Sequence, residues 1–311
     1  MRCISLIPQH SRGSNNMLKT NTPNFFKSNT THVIESQPLI DTQGVLAKPI
    51  RELCEITGVV IPEHADLSTI VDVTQKAWNQ RNSGKERSEF INKFSDIEKT
   101  QILSCFQKLG WIDAIEPTKV SYDDIYVMGA KAQTTKNRLE YLIELWEQGI
   151  RCKTIVFLSG QRELVGGQED EYLEQGLKTE SEMVKKIWLE TPKPQALAKC
   201  DYVIIDAPKW IDHNGKEQRP NTVGTIEALL NSSACPKKES SNLVIANQPY
   251  VARMHLQISD LLSHCTIETV GPLSSIPNPA IYLNELAIQL YAYNNRKILS
   301  AEKITQRSLV A

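Results

Sequence analysis

DIYVMGAKAQTTKNR, residues 124–138, decides the fold, because an apolar, β-favouring run ends in a glycine and passes at once into a helical pattern. Four later segments repeat the arrangement: KTIVFLSG (153–160), DYVIIDAP (201–208), NLVIANQP (242–249) and TIETVGP (266–272). Each sets a β-rich run directly before a turn-forming residue, the pattern of a strand buried on both faces. Helical patterns lie between them at about 134–148, 179–189, 222–230, 250–262 and 280–292. Five βα units in series predict a Rossmann-like, three-layer α/β domain over 117–295, with a parallel sheet between two helical layers. The expected strand order is 3-2-1-4-5. That order places the topological switch between the first and fourth strands, so Gly129 and Asn247 should share one edge of the sheet.

Upstream, PIRELCEITGV, LSTIVDVTQKAWNQ and SDIEKTQILSCFQKLGW each repeat apolar residues at helical spacing, which predicts a helical subdomain over 46–116. Asp66 and Ser95 suit the N-caps of its second and third helices, since a short polar side chain accepts from free N–H groups there. Residues 1–45 are rich in Ser, Thr, Asn and Gln without sustained period, and are expected to form a mobile polar arm. Residues 296–311 are expected to form a polar tail.

The whole chain of 311 residues carries 35 basic and 36 acidic side chains, so no global field favours nucleic acid, and a charged partner must be met by a local patch. Seven scattered cysteines without Cys-x-x-Cys argue against a zinc cage or a disulfide framework, and point to a reducing, cytoplasmic setting. No stretch approaches the ~20 apolar residues of a membrane span, and the first residues lack a signal-peptide apolar region, so a soluble protein with no integral membrane segment is expected. No His-Glu-x-x-His occurs; no metal is expected, and the cofactor is left unspecified.

Candidate site residues gather at the predicted carboxyl ends of the strands. After the first strand, Gly129 permits a tight turn, Lys131 supplies charge, and Thr134 or Thr135 can cap the next helix, an arrangement suited to a phosphate or carboxylate. The plain alternative is a capped turn that binds nothing. One glycine is too few for the dinucleotide fingerprint, and Lys131 is not at P-loop spacing. After the second strand come Ser159, Gly160, Gln161 and Arg162; Ser159 lacks the flanking glycines of a nucleophile elbow and is taken as a hydrogen-bonding group. After the fourth strand, Asn247 and Gln248 can orient a polar ligand, and Tyr250 and Arg253 share a helix face.

VMGAKA, LSGQR, TESEM, PNT and NQPYVAR occur in the order found in the YdcF/SanA/ElyC-like family of Rossmann-like proteins, which the chain resembles over roughly residues 122–270. The resemblance implies that Glu180 opens a helix beside the site, that Asn221 and Thr222 contribute to it, and that Arg253 is its basic residue. Many members have His where Tyr250 stands and Asn where Thr225 stands, and many are membrane-anchored. The family implies nucleotide-type ligands and envelope-related roles. Glu180 and Tyr250 are then the nearby groups for general acid or base chemistry.

Two other classes compete with a small anionic ligand. EHADLS places His64 and Ser68 four residues apart with Asp66 between them, a spacing that a serine hydrolase or protease can use on one helix face, although Asp and Ser at a helix start are ordinary capping residues. The other is an interaction protein, a bacterial effector delivered into a host cell, in which the α/β domain is a scaffold for a protein partner. His264 and Glu268 lie four apart on the fifth strand and are taken as structural.

Overall fold

The computed structural model describes residues 39–41, 45–212 and 214–310, the last helix in backbone alone beyond residue 296. Most of the expected arm, 1–45, lies outside the described residues.

Three helices come first: α1 (Lys48–Thr57), α2 (Leu67–Trp78) and α3 (Asp96–Lys108), with short 3-10 turns at Gln80–Ser83 and Arg87–Glu89 between the last two. The alternation then begins with β1 (Asp124–Met128), α4 (Ala132–Glu147), β2 (Thr154–Gly160), α5 (Asp170–Leu173), α6 (Glu180–Glu190) and α7 (Gln195–Ala198). It continues with β3 (Asp201–Ala207), a small hairpin of β4 (Trp210–Ile211) and β5 (Glu217–Gln218), and α8 (Thr222–Leu230). The chain closes on β6 (Ser241–Ile245), α9 (Val251–Leu261), β7 (Thr266–Val270) and α10 (Pro279–Val310).

The five long strands form one parallel sheet in the order β3-β2-β1-β6-β7, so β6 and β7 are the expected fourth and fifth strands. Val127 is in register with Phe157 on one side and Ile245 on the other, which makes β1 the central strand. Successive side chains of a strand alternate between faces. Ile125, Val127, Ile155, Phe157, Leu243 and Ile245 therefore pack in one core with residues of α4 and α6. Tyr126, Met128, Val156, Leu158, Val244 and Ala246 pack in another with residues of α8 and α9. Burial on both faces explains why these strands read as continuous apolar runs.

A third core belongs to the helical part. Ile50, Leu53, Ile70, Val71, Ile102 and Phe106 of α1–α3 close over Tyr282, Leu283, Leu286 and Leu290 of α10. The helix read at 280–292 thus supplies the fourth wall of the helical part, and its backbone continues through the segment expected as a tail to Val310. Asp66 accepts from the Thr69 N–H at 2.8 Å and Ser95 forms a capping box with Glu98, as expected for the second and third helices. At α4 the cap differs from expectation. The helix starts at Ala132, so neither Thr134 nor Thr135 precedes it, and the Ala132 N–H donates instead to Glu169 Oε1 at 3.1 Å. Among the described residues no helix is long and apolar enough to cross a membrane.

Candidate functional site

The loop after β1 lies at the carboxyl edge of the sheet, where an open α/β fold of this strand order places its crevice. A Cβ on Gly129 would stand 2.2 Å from Glu180 Oε1 and 2.9 Å from the Leu158 carbonyl oxygen, so glycine here permits a carboxylate to lie directly on the end of the strand. Glu180 is the first residue of α6, which is held by a Thr179–Glu182 capping box. Its Oε2 accepts from Arg162 Nε at 2.6 Å, and its Oε1 has no hydrogen-bond partner among the described residues.

Arg162 does not offer its charge to a ligand. Its Nη1 and Nη2 donate to the two oxygens of Glu169 at 3.0 and 2.9 Å, so one guanidinium lies between two buried carboxylates. Glu169 also accepts from the Val165 N–H at 2.8 Å as well as from Ala132. The anion that the sequence places at the start of α4 is thus a carboxylate of the chain itself.

The two carboxylates differ in their proton affinity. Burial pushes the Glu180 carboxyl above the usual glutamate range, against the pull of Arg162 and Arg138. For Glu169 burial acts in the same sense, but hydrogen bonds from Arg162 and from backbone N–H groups outweigh it and hold the carboxyl below that range. A ring of donors separates the two cases.

The opposite wall is built on Arg138, a fully buried arginine of α4. Its Nη1 donates to the carbonyls of Met128 and Gly129 at 2.6 and 2.8 Å, and its Nε and Nη2 donate to Asn247 Oδ1 at 3.0 and 2.6 Å. Arg138 therefore ties the ends of β1 and β6 together through neutral oxygens alone. Burial lowers its pKa to about 10, which still leaves it charged at neutral pH. Tyr250, at the start of α9, lies under the Arg87 guanidinium at 4.5 Å from the ring centroid. Burial raises its hydroxyl above the usual phenol range. Arg253 pairs with the fully buried Glu285 of α10 and donates to Gln257 at 2.9 Å. Arg87 Nη2 lies 3.6 Å from the other Glu285 oxygen, an ion pair without a hydrogen bond. Among the described residues, Arg87 Nε, Asn284 Nδ2 and Glu285 Oε2 are buried without hydrogen-bond partners.

At the rim, Lys131 donates to Gln168 at 2.7 Å, and Glu86 lies between Arg81 at 3.4 Å and Arg219 at 3.2 Å. Burial, above all, lowers the pKa of Lys131, and the Glu86 charge raises it. Arg81, Arg87, Arg138 and Arg219 were not found from sequence. Two of them lie in 3-10 turns without periodicity, one follows a hairpin, and Arg138 is hidden in a helix whose pattern reads as amphipathic.

The structure gathers Gly129, Lys131, Arg162, Glu180, Asn247, Tyr250 and Arg253 around this crevice, and gives the other expected residues structural contacts. The Ser159 hydroxyl donates to the Ile205 carbonyl at 2.9 Å and is buried. Gly160 leaves room for Pro220 and Ala207, both within 3 Å of where its Cβ would stand. Gln248 turns away to the carbonyls of Gly110 and Asp113. Asn221 caps α8 through the Gly224 N–H at 3.0 Å, Thr222 opens that helix, and Thr134 is half-buried in the first turn of α4. Beside β2 and β3 an open groove of about 710 Å³ is lined by Gln161, Ser181, Asp206 and Lys209, with Ser181 donating to Asp206 at 2.6 Å.

His64 and Ser68 do not share a helix face, because α2 begins at Leu67 and His64 precedes it at φ 61°. His64 lies in solvent 3.9 Å from Glu63, and Asp66 is engaged as the helix cap. Glu268 accepts from the Tyr122 hydroxyl at 2.6 Å and from Thr118, and the His264 carbonyl accepts from the Glu239 N–H. These are braces.

No family model matches the chain, and no curated relative does. Among solved structures the chain is similar to the crystal structure of FtsY from Mycoplasma mycoides. The two are 10% identical, with 77% of this chain and 94% of that one covered at a TM-score of 0.21, a likeness too low to carry an argument.

Proposed function

We propose that the crevice at the ends of β1 and β6 binds a small anionic ligand of the nucleotide or sugar-phosphate class. The observation that supports this is a cluster in which seven cations (Arg81, Arg87, Lys131, Arg138, Arg162, Arg219 and Arg253) face four carboxylates (Glu86, Glu169, Glu180 and Glu285), in a chain whose overall charge is close to zero. Arg138 donates hydrogen bonds only to neutral oxygens, Arg87 keeps a buried N–H without a partner among the described residues, and Arg81 lies in the field of both Arg87 and Arg253. Confined cations that exceed their counter-charges raise the local concentration of anions and hold them by charge-assisted hydrogen bonds. Turnover of the ligand would fall to Glu180, whose free oxygen and raised pKa suit proton transfer. Tyr250 is a hydrogen-bond donor in this scheme rather than a base, since its hydroxyl holds its proton well above neutral pH.

A thermal-shift screen against nucleotides and phosphorylated sugars tests the proposal. Stabilisation by at least one phosphate ester, lost in Arg87→Gln, is expected; no stabilisation by any anion would refute it. A second reading, a protein-interaction module, is favoured by the β4–β5 hairpin, which holds Trp210 and Ile211 in solvent at 46% and 63% exposure.

A further inference from the structure

The charges of the crevice fall into separate groups. Arg162 is outweighed by its two carboxylates, Glu169 and Glu180. Elsewhere the cations prevail. At the rim Glu86 alone answers Arg81 and Arg219, and it also lies in the field of Lys131. Toward the floor Glu285 alone is paired with Arg87 and Arg253, and Arg138 beside them donates its hydrogen bonds to neutral oxygens and feels a carboxylate, Glu180, only through its field. Positive charge in excess of counter-charge therefore has two foci.

Asn284 of α10 links them. Its Oδ1 accepts from the Arg81 N–H at 3.4 Å, while its buried Nδ2 has no partner, and neither has the buried Nε of Arg87. Arg87 Nε belongs to the floor group and Asn284 is hydrogen-bonded to the rim group, so these two donors without acceptors are the complement of an anion with oxygens toward both foci. A phosphate monoester brings up to about two negative charges at neutral pH, enough to answer one focus.

We propose, on the basis of the anion-binding function above, that the crevice selects ligands with two linked anionic groups, as in a diphosphate ester, over monophosphates. One group lies against Arg81, Lys131 and Arg219, and the other against Arg87 and Arg138. Glu86 holds the rim cations together until a ligand takes its place.

Calorimetric titration of the full chain with orthophosphate, pyrophosphate, and one nucleoside as its mono- and diphosphate gives the test. Each diphosphate should bind at least about tenfold more tightly than its monophosphate counterpart, the effect of one added charge-assisted contact. Arg81→Gln and Lys131→Gln, each checked for an unchanged melting curve, should abolish that preference and leave monophosphate affinity within about threefold. Lys237→Gln, before β6 at the opposite edge of the sheet, should leave the preference intact. Equal affinity for mono- and diphosphates, or a preference that survives both rim substitutions or disappears in Lys237→Gln, would overturn this inference while leaving the anion-binding function standing. If none of the four compounds binds, both fall.

Discussion

Replacing Glu169 by glutamine should be among the most damaging isosteric changes available to this protein. The carboxylate is fully buried and accepts four hydrogen bonds, two from Arg162 and one each from the N–H groups of Ala132 and Val165. Each oxygen receives one guanidinium N–H and one backbone N–H. A glutamine keeps one of those oxygens and puts an NH2 in place of the other, so a donor faces two donors whichever way the amide turns. One charge-assisted bond and one backbone bond are lost, and the start of α4 or the Val165 turn is left with a free N–H. At ~1.5–3 kcal/mol for the first and ~1–3 kcal/mol for the unsatisfied donor, the expected loss is about 3–5 kcal/mol. That corresponds to a fall in Tm on the order of 10 °C for a chain of this size. Urea and thermal melts at neutral pH measure it. The pH dependence supplies a second check, because a carboxyl held below its unfolded value contributes stability that is present above that value and lost as pH falls through the lower folded one. The advantage of the native chain over the variant should therefore shrink below about pH 4. A loss under ~1 kcal/mol, or one independent of pH down to that range, would refute the assignment of Glu169 as the internal anion of α4.

Glu180→Gln should behave in the opposite sense: its carboxyl is raised, so its contribution is present at low pH and lost as pH rises through the raised folded value, and the amide still accepts from Arg162. The Tm of this variant relative to the native chain should rise as pH is raised above the ordinary glutamate value of about 4, and a fall would contradict the scheme. Gly129→Ala should cost ~1–3 kcal/mol in a urea melt, since the Leu158 carbonyl at 2.9 Å is backbone and cannot swing aside; an unchanged midpoint would show that the loop has slack. Arg253→Ala leaves the buried Glu285 to Arg87 alone and should destabilise by ~3–5 kcal/mol, with Glu285→Ala in the same chain recovering a large part; no recovery would mean that the pair is not coupled. A fluorophosphonate probe should leave Ser68 unlabelled, and labelling abolished by Ser68→Ala would revive the hydrolase alternative.

The sheet was legible because strands buried on both faces are dominated by apolar residues, as in the runs IYVM, IVFL and LVI. Right-handed crossovers then left few orders for the strands. The partner of the helix at 280–292 was not legible, since an apolar stripe shows that a face is buried but not which core receives it. The site was read in the same uneven way. Sequence brought Gly129, Glu180, Arg162, Asn247 and Arg253 to one edge, Glu180 by resemblance, but it assigned ligand contacts to two arginines that carboxylates of the chain already hold. Charge pairing over long separations, such as Arg253 with Glu285, leaves no local pattern. Arg138 was missed for a related reason: an arginine on an amphipathic helix is ordinarily solvated, and only the carbonyls of Met128 and Gly129 with Asn247 hold it inside.

The central claim is that excess positive charge between the β1 and β6 ends holds a phosphate-bearing ligand. Its most direct test is calorimetric titration of nucleoside and sugar phosphates into the native chain and into the Arg87→Gln, Lys131→Gln double variant, with both proteins shown to be folded. At least one phosphate ester should bind the native chain, and the double variant should bind it at least about tenfold more weakly, as expected when at least one charge-assisted contact is removed. Equal affinity in the two proteins, or no binding to the native chain, would contradict it.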